Sequence, residues 1–229
     1  MGRAAVIALI CAGLAGPCRG APATADSWPV LPDQPGQGRV ALAWSGYDGV
    51  DPDRLSLSLR QAAGTTTSLG VDAISLSDGD WAATAVVRQD VSGPVHLDGV
   101  SVIAGVGARE TADETRATFR IGGRIERGLH DRDRIGGWIS LDAEARVGAD
   151  AATELAGSTQ LGVTAWDRLS LSGGIEVTGT TDADRLDTRL SSAVVGQLGD
   201  RAHVAVGASV GLDPDDASPG LHIGTWLEF

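Results

Sequence analysis

Apolar and polar side chains alternate along most of the chain from Arg39 to Phe229. Leu55, Leu57 and Leu59, for example, are separated by serines, and similar runs recur down to the C-terminus. A period of two places all apolar side chains of a segment on one face of a β-strand, whereas an amphipathic helix repeats every 3.6 residues. Helical spacing is not sustained over any useful length. The pattern therefore predicts an all-β fold.

Short stretches rich in Gly, Asp, Pro and Thr interrupt the alternation and divide the region into strands. Twelve strands are predicted, or ten if two weak segments merge or lie outside the sheet. In the fifth strand, Val95 and Leu97 have the opposite phase from Val100 and Val102, so we expect a β-bulge between them. The predicted strands cover residues 39–47, 54–61, 67–77, 81–89, 95–108, 116–126, 135–147, 154–166, 169–179, 186–198, 202–212 and 220–229.

An apolar face on every strand fits two architectures. In a soluble sandwich the apolar faces pack together, whereas in a membrane barrel they face lipid. Most of the predicted strands have about 8 to 13 residues, and a tilted strand needs about 9 to 11 to cross a membrane. Their apolar faces consist mainly of small and aliphatic residues, and aromatic residues make up only 4% of the chain. We therefore predict an up-and-down antiparallel transmembrane β-barrel.

The charge of the connections between strands supports this topology. The chain has 30 acidic and 18 basic residues, a formal net charge of −12. The connections after odd-numbered strands carry most of the acidic excess, whereas those after even-numbered strands are close to neutral. All odd-numbered connections of an up-and-down barrel lie at one end, so one rim is predicted to be acidic. Such a protein is unsuited to nucleic acid, whose phosphates require clustered basic residues.

The N-terminus has the three parts of a secretory signal peptide: a basic start, an apolar run and a small-residue cleavage motif. Arg3 precedes the apolar residues 4–15, and small residues follow as far as Ala25. Both cysteines lie in this segment, so we expect no disulfide, zinc–cysteine site or thiol nucleophile in the exported chain. The predicted organisation is a signal peptide at 1–25, a proline-rich periplasmic tail at 26–38 and a barrel domain at 39–229.

The chain ends in GLHIGTWLEF, with apolar residues at alternate positions and a terminal aromatic residue. This ending resembles the C-terminal assembly signal of Gram-negative outer-membrane β-barrel proteins, carried here by Leu221, Ile223, Leu227 and Phe229. The resemblance is to the class, over residues 39–229, and to no narrower family. It implies a location in the outer membrane, contact with outer-membrane lipid and lipopolysaccharide, and insertion by the barrel assembly machinery.

The same resemblance implies that both chain ends face the periplasm, so the acidic connections would be extracellular loops. Divalent cations such as Mg²⁺ or Ca²⁺ would then bridge these loops to anionic lipopolysaccharide. Alternatively, the acidic residues only keep the loops solvated. Aromatic girdles, which mark the membrane boundaries in this class, have few candidates here: Trp44, Trp81, Trp138, Trp166, Tyr47 and Phe119.

The polar phase of the predicted strands carries six basic and six acidic residues that we expect to line the lumen. Paired charges would brace the lumen, because an unpaired buried charge is costly; alternatively, opposed charges would set the solute preference of a pore. Counting around the turns places Glu176 opposite Arg189 and Arg120 near Asp142. About 12 strands predict a narrow or plugged passage. The predicted lumen-lining residues are Arg60, Arg88, Arg120, Arg124, Glu126, Asp142, Glu144, Arg146, Glu176, Asp187, Arg189 and Glu228.

Residue patterns that would support catalysis or cofactor binding are weak. His222 lies near acidic residues at the acidic rim, but the serine–histidine patterns of outer-membrane enzymes do not accompany it. His130 with Asp131 and Asp133 is more typical of a solvated turn than of a metal site. We therefore expect no catalytic residues, no metal site and no cofactor.

The sequence thus predicts an exported outer-membrane barrel that acts as a narrow channel or a transport-associated, porin-like protein. Its lumen is expected to be ion-paired and its extracellular loops acidic. The alternative is a structural or surface-interaction barrel without conductance. An outer-membrane hydrolase or lipid-modifying enzyme and a barrel that assists polysaccharide export are less favoured, because no motif selects either of them.

Overall fold

The structure is a computed structural model that describes residues 37–47, 53–91, 99–111, 114–130, 136–148, 153–166, 168–181, 186–213 and 218–229. The predicted signal peptide at 1–25 lies outside the described residues. So do nearly all of the predicted tail and most residues of the acidic connections. Cation bridging by these connections therefore stays a prediction.

Twelve strands make up the regular secondary structure of the described residues. Their order along the chain is also their order around a closed barrel, and each neighbouring pair is antiparallel. The predicted fold class is therefore confirmed, with twelve strands. The strands are β1 (Gly38–Tyr47), β2 (Arg54–Ala62), β3 (Thr67–Leu76), β4 (Trp81–Asp90), β5 (Gly99–Thr111), β6 (Glu114–His130), β7 (Gly136–Gly148), β8 (Thr153–Trp166), β9 (Leu169–Thr180), β10 (Asp187–Gln197), β11 (Ala202–Gly211) and β12 (Pro219–Glu228).

The barrel closes where β1 pairs with β12, beginning with Arg39 opposite Glu228. Beyond this pair, the amide of Gly38 donates to the carbonyl of Phe229 (2.7 Å), and the amide of Phe229 donates to the carbonyl of Gly38 (2.9 Å). Closure leaves no edge strand open to aggregation. We call the end that carries Gly38 and Phe229 the terminal rim and the opposite end the distal rim. The odd-numbered strands all end at the distal rim.

The alternation predicted from the sequence separates an outer face from a lumen. On β2, Leu55, Leu57 and Leu59 are 47%, 45% and 45% exposed, whereas Ser56 and Ser58 are buried. Exposed large apolar side chains recur on the same phase around the barrel, and an apolar surface of this extent is typical of a membrane-facing wall. Helices long and apolar enough to cross a membrane do not occur in the described part of the chain.

The strands differ from the prediction chiefly at β5 and β6. The pairing of β5 with both neighbours is regular from its start. Val95 and Leu97 lie outside the described residues, so the predicted bulge beside them is not tested. β6 continues to His130 rather than ending at residue 126, because the residues after 126 still pair with β7.

A bulge occurs instead near the end of β8, where the pairing with β9 shifts between Thr164 and Trp166. An extra residue in one strand reverses the phase of the residues that follow it. Trp166 therefore lies on the outer face, where its side chain is exposed. The other exposed aromatic side chains among the girdle candidates are Trp44, Trp81 and Phe119.

Trp138 does not belong to an outer girdle. It shares its phase with Ser140, which is buried on the lumen side, and its indole packs over Gly162 of the next strand. The girdle prediction is therefore wrong for Trp138, because alternation from Ser140 turns this indole inward. The side chain of Tyr47 lies outside the described part of the structure.

Candidate functional site

The buried charged side chains among the described residues all lie on the inward face of the barrel. The twelve predicted lumen-lining residues lie on this face, in the phase opposite the exposed apolar side chains. Arg120, Arg124, Arg189 and Glu176 are only 5%, 2%, 3% and 3% exposed. Because a charge is costly to bury without a partner, the contacts among these residues determine what the lumen can do.

Asp72 of β3 accepts hydrogen bonds from two arginines. Arg60 of β2 donates in a bidentate arrangement, from Nη1 to Oδ1 (2.6 Å) and from Nη2 to Oδ2 (2.8 Å). Arg120 of β6 donates from Nη1 to Oδ2 (2.6 Å). Since β4 and β5 lie between β3 and β6 in the wall, the contact between Asp72 and Arg120 crosses the lumen.

Arg120 extends this chain of contacts to β7. Its Nε donates to Oε2 of Glu144 (2.8 Å), and its Nη2 lies 2.5 Å from the same oxygen. The other oxygen of Glu144 lies 2.6 Å from Nη2 of Arg146. Together the chain spans β2 to β7 and carries three positive charges and two negative ones. We call it the central ladder: Arg60, Asp72, Arg120, Glu144 and Arg146.

A second group of charges lies on β4, β6 and β7. Arg124 Nε lies 2.5 Å from Glu126 Oε1 and 3.6 Å from Asp142 Oδ1. Arg88 reaches Glu126 at 3.9 Å and donates from Nε to Ser101 Oγ (3.0 Å). With two basic and two acidic side chains, this group is neutral.

A third group lies on β9 and β10. Glu176 and Arg189 are directly opposite each other, as the turn counting predicted. Arg189 Nε lies 3.4 Å from Asp187 Oδ2, and Nη2 donates to Ser218 Oγ (3.3 Å). Arg54 of β2 is also buried in the lumen. The third group therefore places a buried acid, Glu176, and a buried base, Arg189, at directly opposed positions.

Toward the terminal rim, one side of the lumen carries a group of apolar side chains beside the ion pair of Arg39 and Glu228. Trp226 of β12 stacks on His203 of β11, with ring centroids 4.8 Å apart and planes inclined by 5°. Ala41, Val195 and Ala205 join Trp226 in one cluster of buried apolar side chains. We call this set, with His203, the apolar cluster.

Sequence reasoning missed eight charged strand residues in the inward phase. Asp72 has the same phase as Ser68 of its own strand, so the alternation alone was sufficient to identify it. Arg109 lies beyond the predicted end of its strand, and its ion pair with Glu154 joins β5 to β8. No sequence signal indicates such a contact between strands that are not neighbours. The eight missed residues are Arg39, Arg54, Asp72, Asp90, Arg109, Glu114, Arg116 and Glu154.

The predicted proximity of Arg120 and Asp142 is wrong. The register of β6 and β7 sets Arg120 opposite Arg146, and Arg124 opposite Asp142. The shift of register arises because β6 continues to His130, which moves the turn toward β7. The carboxylate that Arg120 contacts on β7 is that of Glu144.

The four residues of the predicted assembly signal lie on the outer face. Leu221, Ile223, Leu227 and Phe229 are all exposed, so they are available to lipid or to a folding partner. Their recognition by the assembly machinery stays a prediction. Groups of three or more His, Cys, Asp or Glu side chains able to hold a metal ion do not occur among the described residues.

No family model matches this chain, and no curated protein does. Several solved structures share its fold. The KdgM porin in complex with disordered oligogalacturonate matches with a TM-score of 0.60 at 9% identity, over 83% of this chain and 99% of that chain. The outer membrane protein Omp33 of Acinetobacter baumannii matches with a TM-score of 0.58 at 8% identity, over 85% and 98% of the two chains. The COG4313 outer membrane channel of Pseudomonas putida F1 matches with a TM-score of 0.54 at 14% identity, over 87% and 97%.

At these identities the similarity shows the fold alone. The chain has the fold of Gram-negative outer-membrane β-barrels. This confirms the class predicted from the C-terminal residues, and it agrees with the predicted outer-membrane location. The matches select no family within the class.

Proposed function

We propose that this barrel is a narrow, porin-like channel of the outer membrane in which the central ladder forms a constriction. The observation that carries the proposal is the contact between Asp72 and Arg120, which joins β3 to β6 across the lumen. A solute that moves along the lumen on this side must pass these two side chains. Charged groups at a constriction determine which ions and solutes pass.

The charges of the ladder favour anions over cations at this point. Arg60, Arg120 and Arg146 outnumber the two carboxylates, so the ladder has one positive charge in excess. The two basic and two acidic side chains of the second group balance each other. The solved KdgM porin contains an oligogalacturonate, so an anionic oligosaccharide is a suitable first solute to test here.

The proposal includes an orientation and a set of partners. The terminal rim faces the periplasm and the acidic connections at the distal rim face outward, where divalent cations link them to lipopolysaccharide. The barrel assembly machinery inserts the chain through its C-terminal strand. The protein has no catalytic role in this proposal.

Replacing Arg120 by Gln should shift ion selectivity toward cations. The substitution removes the excess positive charge, and a unit charge about 4 Å from an ion in a water-like medium is worth about 1 kcal/mol. This corresponds to about a fivefold change in relative permeability. The measurement is the reversal potential of single channels in a planar bilayer under a KCl gradient.

Arg127→Gln is the matched control, because Arg127 is an exposed arginine on the outer face of the same strand. It should leave the reversal potential unchanged. If both substitutions shift the potential equally, the ladder does not set selectivity. If the folded wild-type protein shows no conductance steps at any voltage, the alternative of a non-conducting structural or surface-interaction barrel replaces the channel.

A further inference from the structure

The apolar cluster and the central ladder lie on different sides of the lumen. Its members lie on β10, β11, β12 and β1, whereas the ladder extends from β2 to β7. Trp226 is 7% exposed, His203 8% and Ala205 0%. An inward tryptophan can be this well buried only where side chains fill the space around it.

The pairing of the strands explains how the indole is held. Trp226 lies directly between Ala41 on β1 and His203 on β12's other neighbour, β11. The small side chain of Ala41 leaves room on one side, and the imidazole of His203 stacks against the ring on the other. Val195 and Ala205, a directly opposed pair on β10 and β11, continue the apolar surface. The indole is therefore fixed by neighbours on both sides.

Apolar side chains are unexpected on this face of a membrane barrel, because the alternation that puts apolar residues toward lipid puts polar ones toward the lumen. The inward phase of β12 otherwise carries His222 and Glu228, and Glu228 forms an ion pair with Arg39 (3.2 Å) beside the cluster. An apolar section of a pore opposes the passage of ions and hydrated solutes, because water leaves it readily.

We propose that Trp226, positioned by His203, is a plug that closes the β10–β1 side of the lumen and directs solutes past the central ladder. This inference rests on the proposed channel function and adds a second permeation-determining residue to it. The ladder sets selectivity only while the plug is in place. Removal of the plug opens a parallel path that bypasses Arg120.

The test compares Trp226→Ala, Arg120→Gln and the double variant in planar bilayers. Trp226→Ala should raise single-channel conductance about twofold if the two paths have similar widths. In this background, Arg120→Gln should shift the reversal potential much less than it does in the wild-type protein. Trp226→Phe should retain most of the block, and Trp81→Ala, which removes an outer-face indole, is the matched control and should change neither quantity.

Accessibility of the plugged region provides a second readout that does not depend on conductance. The barrel region has no native cysteine, so Ala205→Cys can be probed with a charged, water-soluble thiol reagent after heat-modifiable gel mobility has shown that the variant is folded. The added cysteine should be unreactive with Trp226 present and reactive in the Trp226→Ala background. Equal reactivity in both backgrounds would overturn the plug.

The outcomes separate the two proposals. If the wild-type protein conducts and Trp226→Ala changes neither conductance nor labelling, the plug is wrong and the channel stands. If the wild-type protein does not conduct but Trp226→Ala does, the plug is supported and the proposed native channel is wrong. If neither conducts, cysteine labelling alone decides on the plug.

Discussion

At the scale of single residues, the central ladder depends on the Asp72 carboxylate. Both of its oxygens accept hydrogen bonds from Arg60, and one also accepts from Arg120. The three side chains are largely shielded from solvent. Loss of this one negative charge therefore leaves two guanidinium groups close together in a poorly hydrated space.

Replacing Asp72 by Asn should destabilise the barrel by about 3 to 5 kcal/mol, the usual cost of removing one partner from a buried ion pair. The measurement is reversible unfolding in urea in the presence of lipid vesicles, followed by tryptophan fluorescence. Asp200→Asn, at an exposed turn residue, should change the unfolding free energy by less than about 0.5 kcal/mol. Equal effects of the two substitutions would show that the ladder does not stabilise the fold.

The residues that face the lumen were largely predictable, but their partners were not. Alternation places Arg60, Arg120 and Glu144 on the polar phase without further information. The bond between Asp72 and Arg120 joins strands that are separated by two others, so its formation depends on the curvature of the wall. Periodicity along a strand carries no information about curvature.

At the scale of strands, departures from strict alternation determine where aromatic residues lie. The bulge in β8 turns Trp166 outward, whereas Trp138 on the regular β7 remains inward. A one-residue insertion cannot be located from alternation when the residues beside it fit either face. The length of β6 was missed for a related reason, because Arg127 and Gly128 resemble turn residues although they pair with β7.

Replacing Gly162 by Ala should destabilise the barrel by about 1 to 3 kcal/mol, the usual cost of overpacking. A Cβ at this position would overlap the indole of Trp138 on the neighbouring strand. Gly173→Ala on β9 is the matched control, because a Cβ there meets only ordinary contacts. The measurement is the urea midpoint of each variant, and equal midpoints would show that Trp138 is free to move away.

At the scale of the whole molecule, the two rims differ in charge. The strand bounds and the meander topology were predictable because one apolar face per strand leaves few ways to close the sheet. The assignment of acidic connections to the distal rim then follows from strand parity. The apolar cluster was not predictable, since Ala41, Val195 and Trp226 come together only when β1 meets β12.

Single cysteines should reveal the orientation of the barrel. Asp78 lies in an exposed turn at the distal rim, and Gly64 lies in an exposed turn at the terminal rim. The two variants are Asp78→Cys and Gly64→Cys. If the distal rim faces outward, a membrane-impermeant thiol reagent should label the first variant on intact cells and the second only after lysis. The reverse pattern would contradict the proposed orientation.

The seam between β1 and β12 has a consequence for the timing of folding. Gly38, the first residue of the barrel, has Phe229, the last, as its backbone partner. The barrel therefore cannot close until both β1 and β12 have been synthesised. Contacts between strands that are neighbours in sequence cannot close it. A chain interrupted before β12 would retain two unpaired margins, which are ready templates for association with other chains. Closure of the barrel is therefore a late step of folding, which depends on the strand that reaches Phe229.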